Sequence, residues 1–237
     1  LQQSPAVTVV VAKQPGKNAV DVSSALQAKL DQLQQGYLGQ DIEVSVSRNY
    51  GETAKDKADT LIHKLLFATL SVVLLVGFAL GWREAFVVGM AVVITLAITL
   101  FASWAYGFTL NRVSLFALIF SIGILVDDAI VVVENVERNI EAGLSPLAAT
   151  QQAMKEVTGP IIATTLVLAA VFVPTAFMTG LTGQFYKQFA LTITISTVIS
   201  ALNSLTLSPA LAALLLKPHG AAPDKLTVLL DKVFGRF

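Results

Sequence analysis

The sequence has no cysteine, so neither a disulfide nor a thiolate-held metal belongs to its architecture, and the redox compartment stays open. Charge is scarce as well: 14% of the residues are Asp, Glu, Lys or Arg, against about 25% in an average soluble domain. The formal net charge is zero and no basic cluster stands out, which argues against a nucleic-acid partner and against a polybasic lipid site. No nucleotide-binding or hydrolytic motif occurs, so an ATP-driven pump is not expected, and neither is an enzyme, a metal site or a cofactor. The chain opens on Leu1 without the basic and apolar regions of a signal peptide, and the expectation is a fragment of a longer protein.

What the chain does have is apolar length. Hydrophobic residues make up 54% of it, in several runs of the roughly 20 residues that a spanning helix needs. The expected fold is a polytopic α-helical membrane protein, in contact with lipid, with five transmembrane helices after a small soluble part.

Residues 1–50 read as that soluble part. A β-rich run from Ala6 to Val11 leads to a Pro15-Gly16 turn and then to a helix that Asn18 can cap. Val22, Leu26, Leu30 and Leu33 give the helix one apolar stripe, and Ile42 to Ser47 alternates with the period of a half-buried strand. The result is a β-α-β unit too small to bury an adequate core, so further chain is expected to complete its sheet.

The spans are expected over 53–82, 85–106, 113–137, 159–179 and 188–216. The first emerges from a charged stretch, and Trp82 marks an interface. A polar, mostly helical segment at 138–158 bends near Gly143, Ser145 and Pro146; Pro174 breaks the fourth span; and 224–237 reads as the start of an amphipathic helix lying in the interface. Arg83, Arg138, Lys155, Lys217, Lys225, Lys232 and Arg236 fall on one side if the connections alternate, against Arg112 and Lys187 on the other. That bias places 138–158 and the C-terminus in the cytoplasm, and the N-terminal part outside.

Between Val113 and Val133 every residue suits a bilayer except Asp127 and Asp128. A charged side chain at that depth costs at least about 2.5 to 3.5 kcal/mol on insertion scales, so the pair needs partners, water or protons. Ser114, Ala117 and Ser121 precede Asp128 as a small-residue stripe that lets another helix approach, which turns Asp128 towards the bundle. A proton-handling pair is one reading, and a hydrogen-bonded pair that only fixes packing is the other. Glu134 lies on the face of Asp127 and serves either as a solvated helix end or as a proton entry or exit group. Thr192, Ser196, Ser200 and Ser204 recur every four residues with Asn203 beside them, a stripe suited to packing, with Ser200 and Asn203 as candidates for a proton path. A cation is missing at comparable depth, because Lys64, Arg112 and Lys187 lie at span ends.

The run Gly-Ile-Leu-Val-Asp-Asp-Ala-Ile-Val-Val-Val-Glu-Asn-Val-Glu-Arg, 123 to 138, resembles the signature of the resistance-nodulation-division (RND) efflux pumps, in the branch that exports drugs and other amphiphiles. The likeness extends through Val171 to Pro174, Gly183 to Phe189 and Leu205 to Leu211, and covers most of the chain from about residue 53. The heavy-metal branch typically lacks the second aspartate, so Asp128 favours the drug-type branch. The resemblance implies that Asp127 and Asp128 are the proton-relay carboxylates of a proton/substrate antiporter. It implies that 1–50 ends a ferredoxin-like periplasmic porter subdomain, and that the five spans are the second to sixth of twelve in the bacterial inner membrane. It also implies a homotrimer working with a periplasmic adaptor and an outer-membrane channel on small amphiphilic substrates. Absent from this sequence are the rest of the porter region and the second half with its cationic partners, so the chain alone is not expected to pump. The competing expectations are a non-pumping assembly subunit or truncated remnant, and another RND-superfamily transporter that moves lipid or protein.

Overall fold

The computed structural model describes residues 5–14, 17–38, 42–107 and 112–218. Its contacts divide the chain into two units, residues 1–59 and 60–237.

In the first unit, helix α1 (Ala19–Gly36) begins as expected, with Asn18 Oδ1 accepting the backbone N–H of Val20 at 3.0 Å. The expected strands are not found: among the described residues, 6–11 and 42–47 carry no sheet pairing, and α1 is flanked by irregular segments. A strand exists only where a neighbour takes its N–H and C=O groups, and alternation in the sequence cannot supply that neighbour. Val7, Val9, Val10, Val11, Ile42 and Val46 accordingly stay exposed, and α1 buries none of its residues. The Pro15-Gly16 turn lies outside the described residues.

Asn49 heads helix α2 (Tyr50–Ala79), and its Oδ1 accepts from the N–H groups of Gly51 and Glu52 at 2.9 and 3.2 Å and from Ser23 Oγ of α1 at 2.6 Å. Capping oxygen and interhelix link are thus one atom. Glycine is required at 51, where a Cβ would run into Ser23 and lie 2.8 Å from the Ala19 carbonyl oxygen.

The second unit is helical: the remainder of α2, then α3 (Trp82–Ala105), α4 (Arg112–Glu141), α5 (Pro146–Phe172), a short 3-10 segment (Val173–Phe177) and α6 (Gly180–Leu215). Five helices, α2 to α6, are long and apolar enough to cross a membrane. Local chemistry sets the ends. At the close of α4, Gly143 takes φ 95°, its N–H reaches the Ile140 carbonyl, and Leu144 N–H reaches that of Asn139, a Schellman closure. Two residues later Ser145 caps α5 by accepting from Ala148 N–H, with Pro146 in the first turn, where a missing N–H does no harm. Residues 108–111 and the amphipathic helix expected at 224–237 lie outside the described residues.

Helices α4 and α6 form the centre of the bundle: each packs against α3 and α5, and their contact with one another is the most extensive in it. Val87, Val88 and Val92 of α3, Leu118, Leu125, Val132, Val133 and Val136 of α4, and Ile193 of α6 are almost fully buried. In lipid, apolar side chains gain little by leaving their surroundings, so close fit holds such helices together. Small residues make that fit possible: Ser114, Ala117 and Ser121 of α4 and Thr192, Ser196, Ser200 and Ser204 of α6 are all at most 2% exposed. Ser121 faces Ser196, while Leu125 and Asp128 face Ser200, so α4 and α6 run parallel, with α5 returning between them.

Candidate functional site

The α4–α6 seam is lined with hydroxyls, and among the described residues every buried polar side chain is Ser or Thr. Most hydroxyls spend their hydrogen on their own helix, as Thr192 does on the Gln188 carbonyl and Thr197 on that of Ile193. Two reach across. Ser196 Oγ lies 3.0 Å from Ser121 Oγ, and Ser200 Oγ lies 3.1 Å from the Leu125 carbonyl oxygen and 3.3 Å from Asp128 Oδ2. One hydroxyl hydrogen therefore has two acceptors on α4.

Asp128 is half-buried against α6, and Asp127, one position round the helix, is exposed. Both border a cavity of about 350 Å³ between α4 and α5, with Thr197 of α6 at its edge. Its α5 wall holds Pro160, Thr164 and Thr165. Thr164 Oγ1 lies 3.1 Å from the Pro160 carbonyl and 3.0 Å from that of Ile161, and Thr165 Oγ1 lies 2.7 Å from the Ile161 carbonyl. These hydroxyls thus present acceptor lone pairs to the cavity. None of the lining residues described is Lys or Arg, so the carboxylates face neutral groups.

Ser200 is thus placed on Asp128. Asn203 is not: its Nδ2 donates to Thr95 Oγ1 of α3 at 2.8 Å, tying α6 to α3. Glu134 is exposed and borders a second cavity of about 480 Å³, together with Ala79 of α2, Leu80 just after it, and Glu137, Arg138 and Glu141 of α4. Arg138 Nη2 there pairs with Glu156 Oε2 of α5 at 2.8 Å. No group of His, Asp and Glu suited to a metal ion occurs among the described residues.

Sequence alone does not single out Thr164, Thr165, Thr197 or Val131, although each borders the carboxylate cavity. A threonine pair four and five residues after Pro160 in an apolar span was the available signal. Nothing local tells which helix such a pair faces.

Five membrane-length helices, one of them, α4, carrying a carboxylate pair, define a polytopic helical membrane protein. Residues 1–237 match the AcrB/AcrD/AcrF family, and the chain belongs to that family, in agreement with the RND resemblance of its motifs. It is 36% identical over 240 residues to a multidrug resistance protein MdtC of Pectobacterium atrosepticum, covering 98% of this chain and 23% of that protein. To a multidrug resistance protein MdtC of Yersinia pseudotuberculosis it is 34% identical over 216 residues, covering 91% of this chain and 21% of that protein. The chain therefore spans between a fifth and a quarter of the length of these relatives. Family and helices together make it a multi-pass inner-membrane protein.

Proposed function

We propose that this chain supplies the proton-handling part of an RND exporter of drugs and other amphiphiles, driven by the proton-motive force. The observation that carries the reading is the position of Asp127 and Asp128, midway along a membrane-length helix, beside a cavity, with Asp128 within reach of Ser200. A deprotonated pair in apolar surroundings is costly, so the pair is stable only when it takes up a proton or meets a cation. The described residues around it offer hydroxyls alone. In this reading a cation comes from helices outside this sequence, and its approach and departure alternate with protonation.

Protonation also acts on packing. A charged Asp128 competes with the Leu125 carbonyl for the Ser200 hydrogen, and a neutral one competes less well, because hydrogen bonds to charged acceptors are roughly twice as strong. The charge state of Asp128 thereby biases how α6 sits on α4. A secondary antiporter needs such a link between proton occupancy and helix position.

The rest of the reading follows the RND resemblance. Residues 1–50 complete a ferredoxin-like porter sheet with chain outside this sequence, on the periplasmic side, while 138–158 and the C-terminus lie in the cytoplasm. The complete protein works as a homotrimer with a periplasmic adaptor and an outer-membrane channel. The test is isosteric: in the complete transporter, Asp127→Asn or Asp128→Asn abolishes drug export while expression and assembly stay normal. Full export by both variants would refute the proposal.

A further inference from the structure

Among the described residues, one buried side-chain oxygen has no hydrogen-bond partner: Ser208 Oγ of α6, on a fully buried residue. Ser208 ends the buried stripe Ser196, Ser200, Ser204, Ser208, and so lies two turns along α6 from the Ser200 contact with Asp128, about 12 Å at about 1.5 Å of rise per residue. The next residue is Pro209, inside the helix. Having no N–H, it leaves the Leu205 carbonyl without the bond that the residue four positions on normally gives. A helical hydroxyl can donate to the carbonyl three or four residues back, as Ser196 and Thr197 of the same helix both do to Ile193. For Ser208 those carbonyls belong to Leu205 and Ser204. A donor without an acceptor thus stands one turn from an acceptor that has lost its donor. Membrane helices commonly satisfy the carbonyl that a proline frees with just such a hydroxyl, and here that bond is not made.

Beyond the proline, α6 is held. No basic residue stands in its own last turn, and Arg83 of α3 supplies one: its Nη1 donates to the Leu215 carbonyl, and its guanidinium lies over the Trp82 ring, 5.0 Å from the centroid. A cation there meets the negative end of the helix dipole. Ala212 and Leu216 are buried in the core beside it. One end of α6 is therefore anchored, and the part before Pro209 carries the hydroxyl that touches Asp128.

We propose that Ser208 and Pro209 form a hinge in α6. In its second form the Ser208 hydroxyl donates to the Leu205 carbonyl, and the part of α6 bearing Ser200 shifts against α4 while the end held by Arg83 stays in place. Making that buried bond offsets the weakening of the Ser200 contact when Asp128 takes up a proton. The proposal rests on the reading of Asp128 as a proton-handling group.

Ser208→Ala in the complete transporter containing this sequence separates a hinge from a tolerated defect. Removing an unsatisfied buried hydroxyl relieves its desolvation cost, so the thermal midpoint in detergent is expected to rise. Drug export at matched expression is expected to fall severalfold, because the second form has lost its bond. Pro209→Ala returns an N–H to the Leu205 carbonyl and is expected to lower export similarly, with little further loss in the double variant. A stabilised Ser208→Ala that exports like the parent overturns the hinge. So does a lowered midpoint in Ser208→Ala, or losses that simply add in the double variant. Should Pro209→Ala fail to assemble, Ser208→Ala decides. Failure of the underlying reading is separate, because it shows as normal export by Asp127→Asn and Asp128→Asn whatever Ser208→Ala does.

Discussion

The Ser200 hydroxyl of α6 stands 3.3 Å from Asp128 Oδ2 of α4, across a seam where almost every other hydroxyl is committed to its own backbone. It is the one side-chain hydrogen bond to the aspartate pair among the described residues, and it fixes which helix feels the charge.

Ser200→Ala removes that donor and leaves both acceptors on α4. At this length the bond is worth about 1 kcal/mol, so drug export by the complete transporter is expected to fall severalfold while remaining above that of Asp128→Asn. Ser200→Thr, which keeps the hydroxyl, should restore most of it. Drug-susceptibility curves at matched expression decide, and equal export by Ser200→Ala and the parent would detach Ser200 from the mechanism.

Close approach of α4 and α6 depends on small side chains at Ser121 and Ser196, both fully buried with their oxygens 3.0 Å apart. Ser121→Leu forces extra methylenes into this seam and is expected to cost about 1 to 3 kcal/mol. Ser121→Ala loses only a membrane hydrogen bond, about 0.6 kcal/mol. Thermal melting in detergent should rank them parent, alanine, leucine; a leucine variant as stable as the parent would mean that the seam is looser than the structure has it.

Asn203 and Thr95 join α6 to α3 at 2.8 Å. A double-mutant cycle with Asn203→Leu and Thr95→Val should return a coupling energy of about 0.6 kcal/mol, with about 1.7 kcal/mol as the upper end for membrane proteins. Export should respond less than to the Ser200 change, because neither residue touches the carboxylates. A coupling indistinguishable from zero would remove this bond from the account.

In the first unit, Gly51→Ala places a methyl group against Ser23 and the Ala19 carbonyl oxygen. The head of α2 and α1 must then separate, and the Ser23 to Asn49 bond goes with them. Overpacking of this kind costs about 1 to 3 kcal/mol. Hydrogen exchange should report faster opening of α1 amides in Gly51→Ala, with partial rescue by Ser23→Gly; unchanged protection would count against the close approach.

The helices were legible because their signals are local. A run of apolar residues marks a span, Asn18 marks a start, Gly143, Ser145 and Pro146 mark a bend, and each effect acts within a turn or two of its own residue. The aspartate pair was legible for the same reason, since a charge within an apolar run is conspicuous without any neighbour. The strands expected at 6–11 and 42–47 show the limit of such reasoning: alternation describes one side of a ladder, and the other side has to come from elsewhere in the chain.

What the sequence by itself determined is five membrane-length helices, the position of Asp127 and Asp128 midway along one of them, and the small-residue stripes that let α4 and α6 approach. Tertiary structure alone decided which stripe meets which. It set Ser200, rather than Asn203, on Asp128, turned Asn203 towards Thr95, and brought Thr164 and Thr165 to the carboxylate cavity. Hydropathy and period fix how far along a helix a residue sits and which neighbours share its face. The rotation and register of one helix against another come from interlocking side chains far apart in sequence, and only the packed bundle holds that information.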